Sequence, residues 1–252
     1  MTAVTLDFPV RVACGGVPGE LRPWIDALCH AADSPFVLTF TADTLELEQT
    51  SGELGRLNVD FVRGSSGFRA ARGRARNERL VRACGLARGN TRVIDATGGL
   101  GGDAWILAAA GAEVRLIERD PVVVALLADG LRRARASSPE VVARITLECA
   151  DSVMALPSVM AKASADVVYL DPMYPGRQKA ALGDRRLRML AALAARHAAP
   201  ADAVSALLAS ALACGPKRVV LKRPLKAAAP ETHRPPSYSL PGRSTRFDVW
   251  LP

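Results

Sequence analysis

An α/β architecture, a doubly wound and mainly parallel sheet of Rossmann-like type behind a small N-terminal α+β subdomain, is predicted for this chain by three observations. From residue 91 onward, short apolar runs alternate with helical patterns, as in successive βαβ units. The first of those runs leads directly into the glycine-rich segment DATGGLGGDAW at 95–105. Before residue 70 the rhythm differs, with three short extended segments separated by turn residues.

In chain order, residues 1–35 carry a weak pattern interrupted by Pro18 and Pro23, and LRPWIDALCHAA begins a short helix after Pro23. FVLTFT, LELEQT and RLNVDF, with TAD and SGELG between them, predict a small antiparallel sheet within a subdomain spanning 1–70. Residues 71–90 read as a basic connecting helix, with a helical pattern through Leu80, Val81 and Leu86 and a stop at Gly89-Asn90. Arg69, Arg72, Arg74, Arg76 and Arg79 cannot all face a core. They either solvate a helix face or form a track for RNA phosphates.

The third region, 91–252, supplies the main sheet. TRVIDA is a strand ending in Asp95, GDAWILAAAG a helix closing at Gly111, and EVRLIE the next strand. PVVVALLADGLRRARA is a helix with Pro121 in its first turn. RITLEC, ADVVYL and KRVVLK are three more strands, with GDRRLRMLAALAARHA in the crossover before the last. Residues 224–241 are proline-rich and read as a loop, and TRFDVW at 245–250 as an edge strand.

Composition limits the function. At 49% hydrophobic and 23% charged residues over 252 positions, the chain has a globular balance and enough length for a substantial core. Only 5% of residues are aromatic, which excludes an RNA surface built mainly of stacked rings but leaves room for one or two placed ones. The formal charge of +8 suits a polyanionic partner, or else many arginines simply solvating the surface. Cys14, Cys29, Cys84, Cys149 and Cys214 are dispersed, without zinc-knuckle or CxxC spacing, and so predict reduced thiols in the cytoplasm. His30, His197 and His233 have no evident metal partners, and no metal is expected. No signal-peptide pattern and no bilayer-length apolar run is read, so a cytoplasmic protein without a membrane partner is expected.

The glycine loop predicts a cofactor site. Gly98, Gly99, Gly101 and Gly102 lie between a strand and a helix, where the backbone must turn tightly and approach a ligand closely. Glu118 ends the next strand, placed to accept hydrogen bonds from ribose hydroxyls. An NAD site would need the same carboxylate. Asp95, however, would repel a pyrophosphate and attract a methionine ammonium, which favours S-adenosylmethionine. Asp95 or Asp103 alternatively caps the following helix, and Glu118 alternatively pairs with Arg115 or Arg119. In CADS, Asp151 or Ser152 is placed to meet the adenine, whereas Asp166 begins its strand and reads as structural.

The chemistry is carried by VVYLDPMYPGRQK at 167–179. An apolar strand delivers Asp171 to the sheet edge, Pro172 fixes the turn, and Tyr174 follows. Asp171 and nearby carbonyls can accept hydrogens from an exocyclic base amine, and the Tyr174 ring can stack on the extruded base. Direct methyl transfer without a covalent enzyme intermediate is the reaction expected. Arg177 and Lys179, together with Lys222 and Arg223 in KRPLK, are expected to position phosphates at the RNA entrance.

On DATGGLGGDAW, RLIERDPVVVALLADGL, VYLDPMYPGRQKAAL and RFDVW, the chain resembles the bacterial ribosomal small-subunit methyltransferase J family. The resemblance covers nearly the whole length. It implies a class I methyltransferase fold with an added N-terminal region, S-adenosylmethionine as cofactor, and N2 methylation of guanine 1516 in 16S ribosomal RNA, with the small subunit or its precursor as partner. It places the cofactor on Gly102, Asp103, Glu118, Arg119, Asp151, Ser152 and Asp171. The chain departs from the family pattern at Gly102, where arginine is usual, and at Asp151-Ser152, where two serines are usual. Rival readings are an adenine N6-methyltransferase acting on DNA or RNA, a nicotinamide oxidoreductase, and a non-catalytic RNA-binding protein of ribosome assembly.

Overall fold

Apolar runs flanked by glycine and charged residues form the central strands because both of their faces are covered. In a computed structural model, which describes residues 11–13, 16–28, 34–51, 54–63, 75–86, 91–174, 185–194, 202–228, 230–232 and 234–252, every residue of Val167–Leu170 is buried. The chain order is β1 (Arg11–Ala13), α1 (Arg22–Ile25), β2 (Phe36–Thr41), β3 (Thr44–Gln49), β4 (Arg56–Leu57) and α2 (Arg79–Ala83). Then come β5 (Arg92–Asp95), α3 (Gly102–Ala109), β6 (Glu113–Glu118), α4 (Pro121–Ala134), α5 (Pro139–Ala143), β7 (Ile145–Cys149) and α6 (Ser152–Lys162). The chain closes with β8 (Val167–Leu170), α7 (Arg185–Ala194), α8 (Ala203–Ala213), β9 (Arg218–Pro224), β10 (Tyr238–Pro241) and β11 (Thr245–Trp250).

Seven strands form the main sheet in the order β10-β11-β9-β8-β5-β6-β7. β7, β6, β5, β8 and β9 are mutually parallel, and β11 runs antiparallel between β9 and β10. Strand order reverses at β5, whose neighbours are β6 and β8, and a crevice opens there beyond the carboxyl ends of the strands. Two expectations are corrected. TRFDVW is an interior strand, because β10 covers its outer side. The proline-rich run is not all loop: β10 forms at its end, and Pro241 is tolerated there because an edge strand can lack one ladder donor.

The expected N-terminal sheet is present with order β1-β2-β3-β4, its first pair parallel and the others antiparallel. Ala42 and Asp43 have φ of 47° and 65°, the two left-handed residues a tight hairpin requires between β2 and β3. This sheet packs on α4. Asp129 there is fully buried, accepts from Leu45 N at 3.1 Å, and pairs with Arg132 and Arg133. Arg132 reaches Asp43, and Arg133 donates to Val59 O. Beside them Gly130 admits Val59, whose Cγ1 would stand 2.6 Å from any added Cβ. Downstream, Phe61 stacks on Trp105 with ring centroids 4.8 Å apart, so the segment after β4 supports the first turns of α3.

The short helix expected after Pro23 instead spans Arg22–Ile25 and includes that proline in its first turn, and among the described residues of the basic segment the α-helix is Arg79–Ala83. Gly85, in the left-handed region at φ +70°, follows the end of α2. Asp166 is structural as expected, accepting from Arg92 N at 2.9 Å and pairing with Lys217 at 2.8 Å. Among the described residues no helix is long and apolar enough to cross a membrane.

Candidate active site

Three carboxylates and one ammonium meet beyond the ends of β5, β8 and β9. Asp95, the last residue of β5, is 2% exposed and accepts from Thr97 N at 3.1 Å. Thr97 Oγ1 in turn accepts from the backbone N–H of Asp171 at 2.6 Å, tying the end of β8 to the loop that follows β5. Asp103, in the first turn of α3, accepts at Oδ2 from Tyr169 Oη and from Lys222 Nζ, both at 2.6 Å. Lys222 Nζ also lies 2.7 Å from Asp171 Oδ2. The sequence-predicted Asp95, Asp103 and Asp171 are thus brought together.

The electrostatics follow from this crowding. Burial pushes the Asp95 carboxyl up to about 7; the Thr97 N–H opposes that, Asp103 and Asp171 add to it, and Lys222 opposes it. Burial works to lower the Lys222 ammonium, but Asp103 and Asp171 outweigh it and hold the group above its ordinary range. The Tyr169 hydroxyl is raised well above its ordinary value by burial and by Asp103 and Asp171, so it serves as a donor. With Asp103 and Asp171 set against one lysine, the cluster carries surplus negative charge even while Asp95 holds its proton, which suits a cationic ligand.

The glycine loop lies beside this cluster. Gly98 N donates to Ile117 O at 2.9 Å and Gly99 N to Glu118 Oε2 at 2.7 Å, which fastens the loop to the end of β6. Gly101 precedes α3 at φ +72°, and a Cβ there would stand 2.8 Å from Leu127 Cδ2 and 2.9 Å from Phe61 Cζ. No side chain fits that position. Gly102 is the first residue of α3, whose opening turn presents N–H groups without intrahelical acceptors. Gly98, Gly102 and Asp103 therefore share one loop with Glu118 at its side.

Glu118 spends one lone pair of each oxygen on backbone donors, Gly99 N and Asp120 N, and a carboxylate has about four such sites. Burial raises its pKa against the backbone N–H groups of Asp120, Gly99 and Arg119, and the Asp120 charge adds to the rise. Neither Arg115 nor a helix cap claims it: Arg115 pairs with Glu148, and the cap of α4 is Asp120. Arg119 follows it, half-buried. Asp151 caps α6 by accepting from Val153 N at 2.9 Å, and Ser152 Oγ donates to Ala96 O at 2.7 Å. Ser152 therefore ties the start of α6 to the residue that follows β5, while Asp151 caps the helix that begins there.

Beyond Asp171, Tyr174 is half-buried, and its hydroxyl oxygen has no hydrogen-bond partner among the described residues. Burial pushes this phenol up to about 12; Arg223 opposes the shift, while Asp171 and Asp248 add to it.

The expected RNA contacts divide. Arg76 is exposed, while Arg72, Arg74, Arg177 and Lys179 lie outside the described residues. Lys222 and Arg223 are corrected: neither faces a phosphate. Lys222 is turned into the carboxylate cluster, and Arg223, 5% exposed, is ion-paired with buried Asp248. A buried carboxylate needs a counter-charge, and these two cations supply it. Sequence reasoning missed Thr97, Tyr169 and Phe61. Tyr169 read as one more apolar strand residue, and nothing in spacing joins Phe61 to the loop. Among the described residues no group of three or more His, Cys, Asp or Glu side chains is arranged to hold a metal ion.

A family model described as "Putative SAM-dependent methyltransferase" matches residues 24–252. The chain is 44% identical over 237 residues to ribosomal RNA small subunit methyltransferase J of Alkalilimnicola ehrlichii, covering 89% of each chain. It is 39% identical over 250 residues to the protein of the same name from Pseudomonas syringae pv. tomato, covering 96% of this chain and 91% of that one. Among solved structures, a SAM-dependent methyltransferase from Neisseria gonorrhoeae aligns with a TM-score of 0.72 and 31% identity over 97% of this chain and 96% of its own.

Proposed function

The chain belongs to the ribosomal RNA small subunit methyltransferase J family, and from that membership we propose that it methylates the exocyclic N2 amine of guanine 1516 in 16S ribosomal RNA. Its cofactor is S-adenosylmethionine and its fold is that of a class I methyltransferase. The residues present fit that cofactor. The surplus negative charge of Asp103 and Asp171, joined by Asp95 as it ionises, complements an ammonium and a sulfonium, and Glu118 retains acceptor sites for ribose hydroxyls. When bound, the cofactor supplies an electrophilic methyl group on sulfur.

The observation that carries the reading is the anchoring of Asp171 by Lys222 Nζ and Thr97 Oγ1 at the crevice. Ion-paired with Lys222, Asp171 is a carboxylate and therefore accepts without donating. It can hold a hydrogen of the guanine amine and so aim the nitrogen lone pair, while the Tyr174 ring supports the base. The gain comes from positioning and fixed charge. Gly98, Gly102, Asp103, Glu118 and Arg119 are the proposed cofactor contacts on one side of the crevice, with Asp151 and Ser152 closing it toward the adenine. RNA binding in the cytoplasm, with Arg72, Arg74, Arg76, Arg177 and Lys179 on phosphates, belongs to the same proposal.

The test is transfer of labelled methyl from S-adenosylmethionine to small-subunit particles lacking the modification, followed by nucleoside analysis and site mapping. N2-methylguanine at position 1516 is expected. Methylated adenine, or no transfer despite confirmed cofactor binding, would overturn the assignment.

A further inference from the structure

We propose that a pocket at the outer edge of the main sheet, between α2 and the β10–β11 hairpin, binds a nucleotide of the RNA strand adjoining the target guanine. This proposal rests on the RNA-methyltransferase reading and adds a second point of grip to it.

The pocket, open to solvent along one side, has a volume of about 380 Å³ and is lined by Arg79, Arg82, Tyr238, Leu240 and Pro241. Such a volume lies within the range of small-ligand sites. Among the described residues its lining contains two guanidinium groups and no carboxylate, which fits a phosphate-bearing occupant. Tyr238 is 37% exposed, whereas Tyr169 is buried and Tyr174 half-buried. Its ring is held in position: Arg218 donates to the hydroxyl, and the Arg218 guanidinium carbon lies 6.0 Å from the ring centroid. Arg79 is also placed, with Nη1 lying 2.9 Å from where a Cβ of Gly242 would be, against the turn of the hairpin. A fixed ring between arginines supplies the two things single-stranded nucleic acid needs, a stacking face and positive charge along the backbone.

Strand register connects this pocket to the transfer site. Lys222 pairs with Phe247, and Phe247 with Leu240, so Lys222 and Leu240 lie in one cross-sheet row and share a face. Strands about 4.8 Å apart put Leu240 roughly 10 Å from Lys222. Asp171 follows Leu170, which is level with Leu221 on β9, so it stands at the level of the same row. An RNA strand whose guanine is turned into the crevice can therefore reach Leu240 and Pro241 at the sheet's carboxyl edge and continue down β10 to Tyr238, which is level with Val220. Arg79 and Arg82 would hold phosphates, and Tyr238 would carry a base.

The experiment compares the full-length wild type with Arg79→Gln/Arg82→Gln, Tyr238→Ala and Tyr238→Phe, using unmodified small-subunit particles and the naked 16S RNA as probes. For Tyr238→Ala, RNA affinity should fall about tenfold, while Tyr238→Phe keeps the ring and most of the affinity. The double variant should lower the slope of log affinity against log salt by about 0.7 for each lost phosphate contact. In each case the KM for RNA rises while kcat at saturating RNA and cofactor affinity stay at the wild-type level. Wild-type RNA affinity and salt slope in all three variants would overturn the proposal and leave the methyltransferase reading intact. Weakened binding to particles with unchanged binding to naked RNA would overturn it in favour of a protein contact. Failure of the wild type itself to methylate either probe would overturn the underlying reading.

Discussion

Lys222 places its ammonium 2.7 Å from Asp171 Oδ2 while keeping Asp103 Oδ2 at 2.6 Å, so one side chain from β9 joins the start of α3 to the loop that follows β8. The three side chains are 16–21% exposed, enough shielding for the ion pairs to exceed a surface salt bridge in strength.

Lys222→Met should therefore lower kcat by about 10²-fold, the usual effect of removing one fixed group from a transition-state field. It should also cost about 3 kcal/mol of folding stability, since two carboxylates are left facing each other without a cation. Thermal unfolding and single-turnover transfer measure these two effects. The salt dependence of RNA binding should not change, because this lysine faces the carboxylates rather than a phosphate. A flatter salt slope would reinstate Lys222 as an RNA contact.

Asp95 predicts a proton linkage. Its carboxyl is raised from 3.8 to about 7, so between those values the folded state holds a proton that the unfolded state has lost. Stability from this group is complete below the lower value and is lost as pH rises through about 7. A cationic cofactor favours the ionised form against the burial and the neighbouring Asp103 and Asp171; Lys222 and the Thr97 N–H already favour it. Cofactor affinity should accordingly climb as pH rises to about 7 and then level off. Calorimetry in two buffers of different ionisation enthalpy should detect proton release at the acidic end of that range and little above it; equal proton counts throughout would remove Asp95 from the linkage.

Gly101→Ala should destabilise the cofactor loop. The position combines φ +72° with clashes against Leu127 and Phe61, and strain of this kind costs about 1–3 kcal/mol. A lower unfolding midpoint, together with weakened cofactor binding, is expected. If only stability changes, the loop's shape is not what the cofactor reads.

Much of this was legible in the residues themselves. The alternation of apolar runs with helical patterns predicted β5 to β9, and the glycines of DATGGLGGDAW marked the loop at the switch point, because backbone geometry there admits little else. Asp171 was legible because a proline follows it at the end of a buried strand. Lys222 and Arg223 were read outward since lone cations at a strand end ordinarily seek water; their partners, Asp103, Asp171 and Asp248, come from other elements, and convergence of that kind leaves no local pattern. Thr97 and Tyr169 act through hydroxyl hydrogen bonds that neither period nor spacing encodes. β10 was hidden by the prolines around it, and its pairing with β11 shows only in three dimensions.

The buried Asp129, by accepting from Leu45 N across to β3 while bracing two arginines of its own helix, has a consequence for how such proteins can be recombined. The N-terminal strands cannot be grafted or exchanged between relatives as an independent cassette. A chimera joined after β4 would leave that carboxylate sealed against a foreign surface, and would need to bring α4 with the strands it serves.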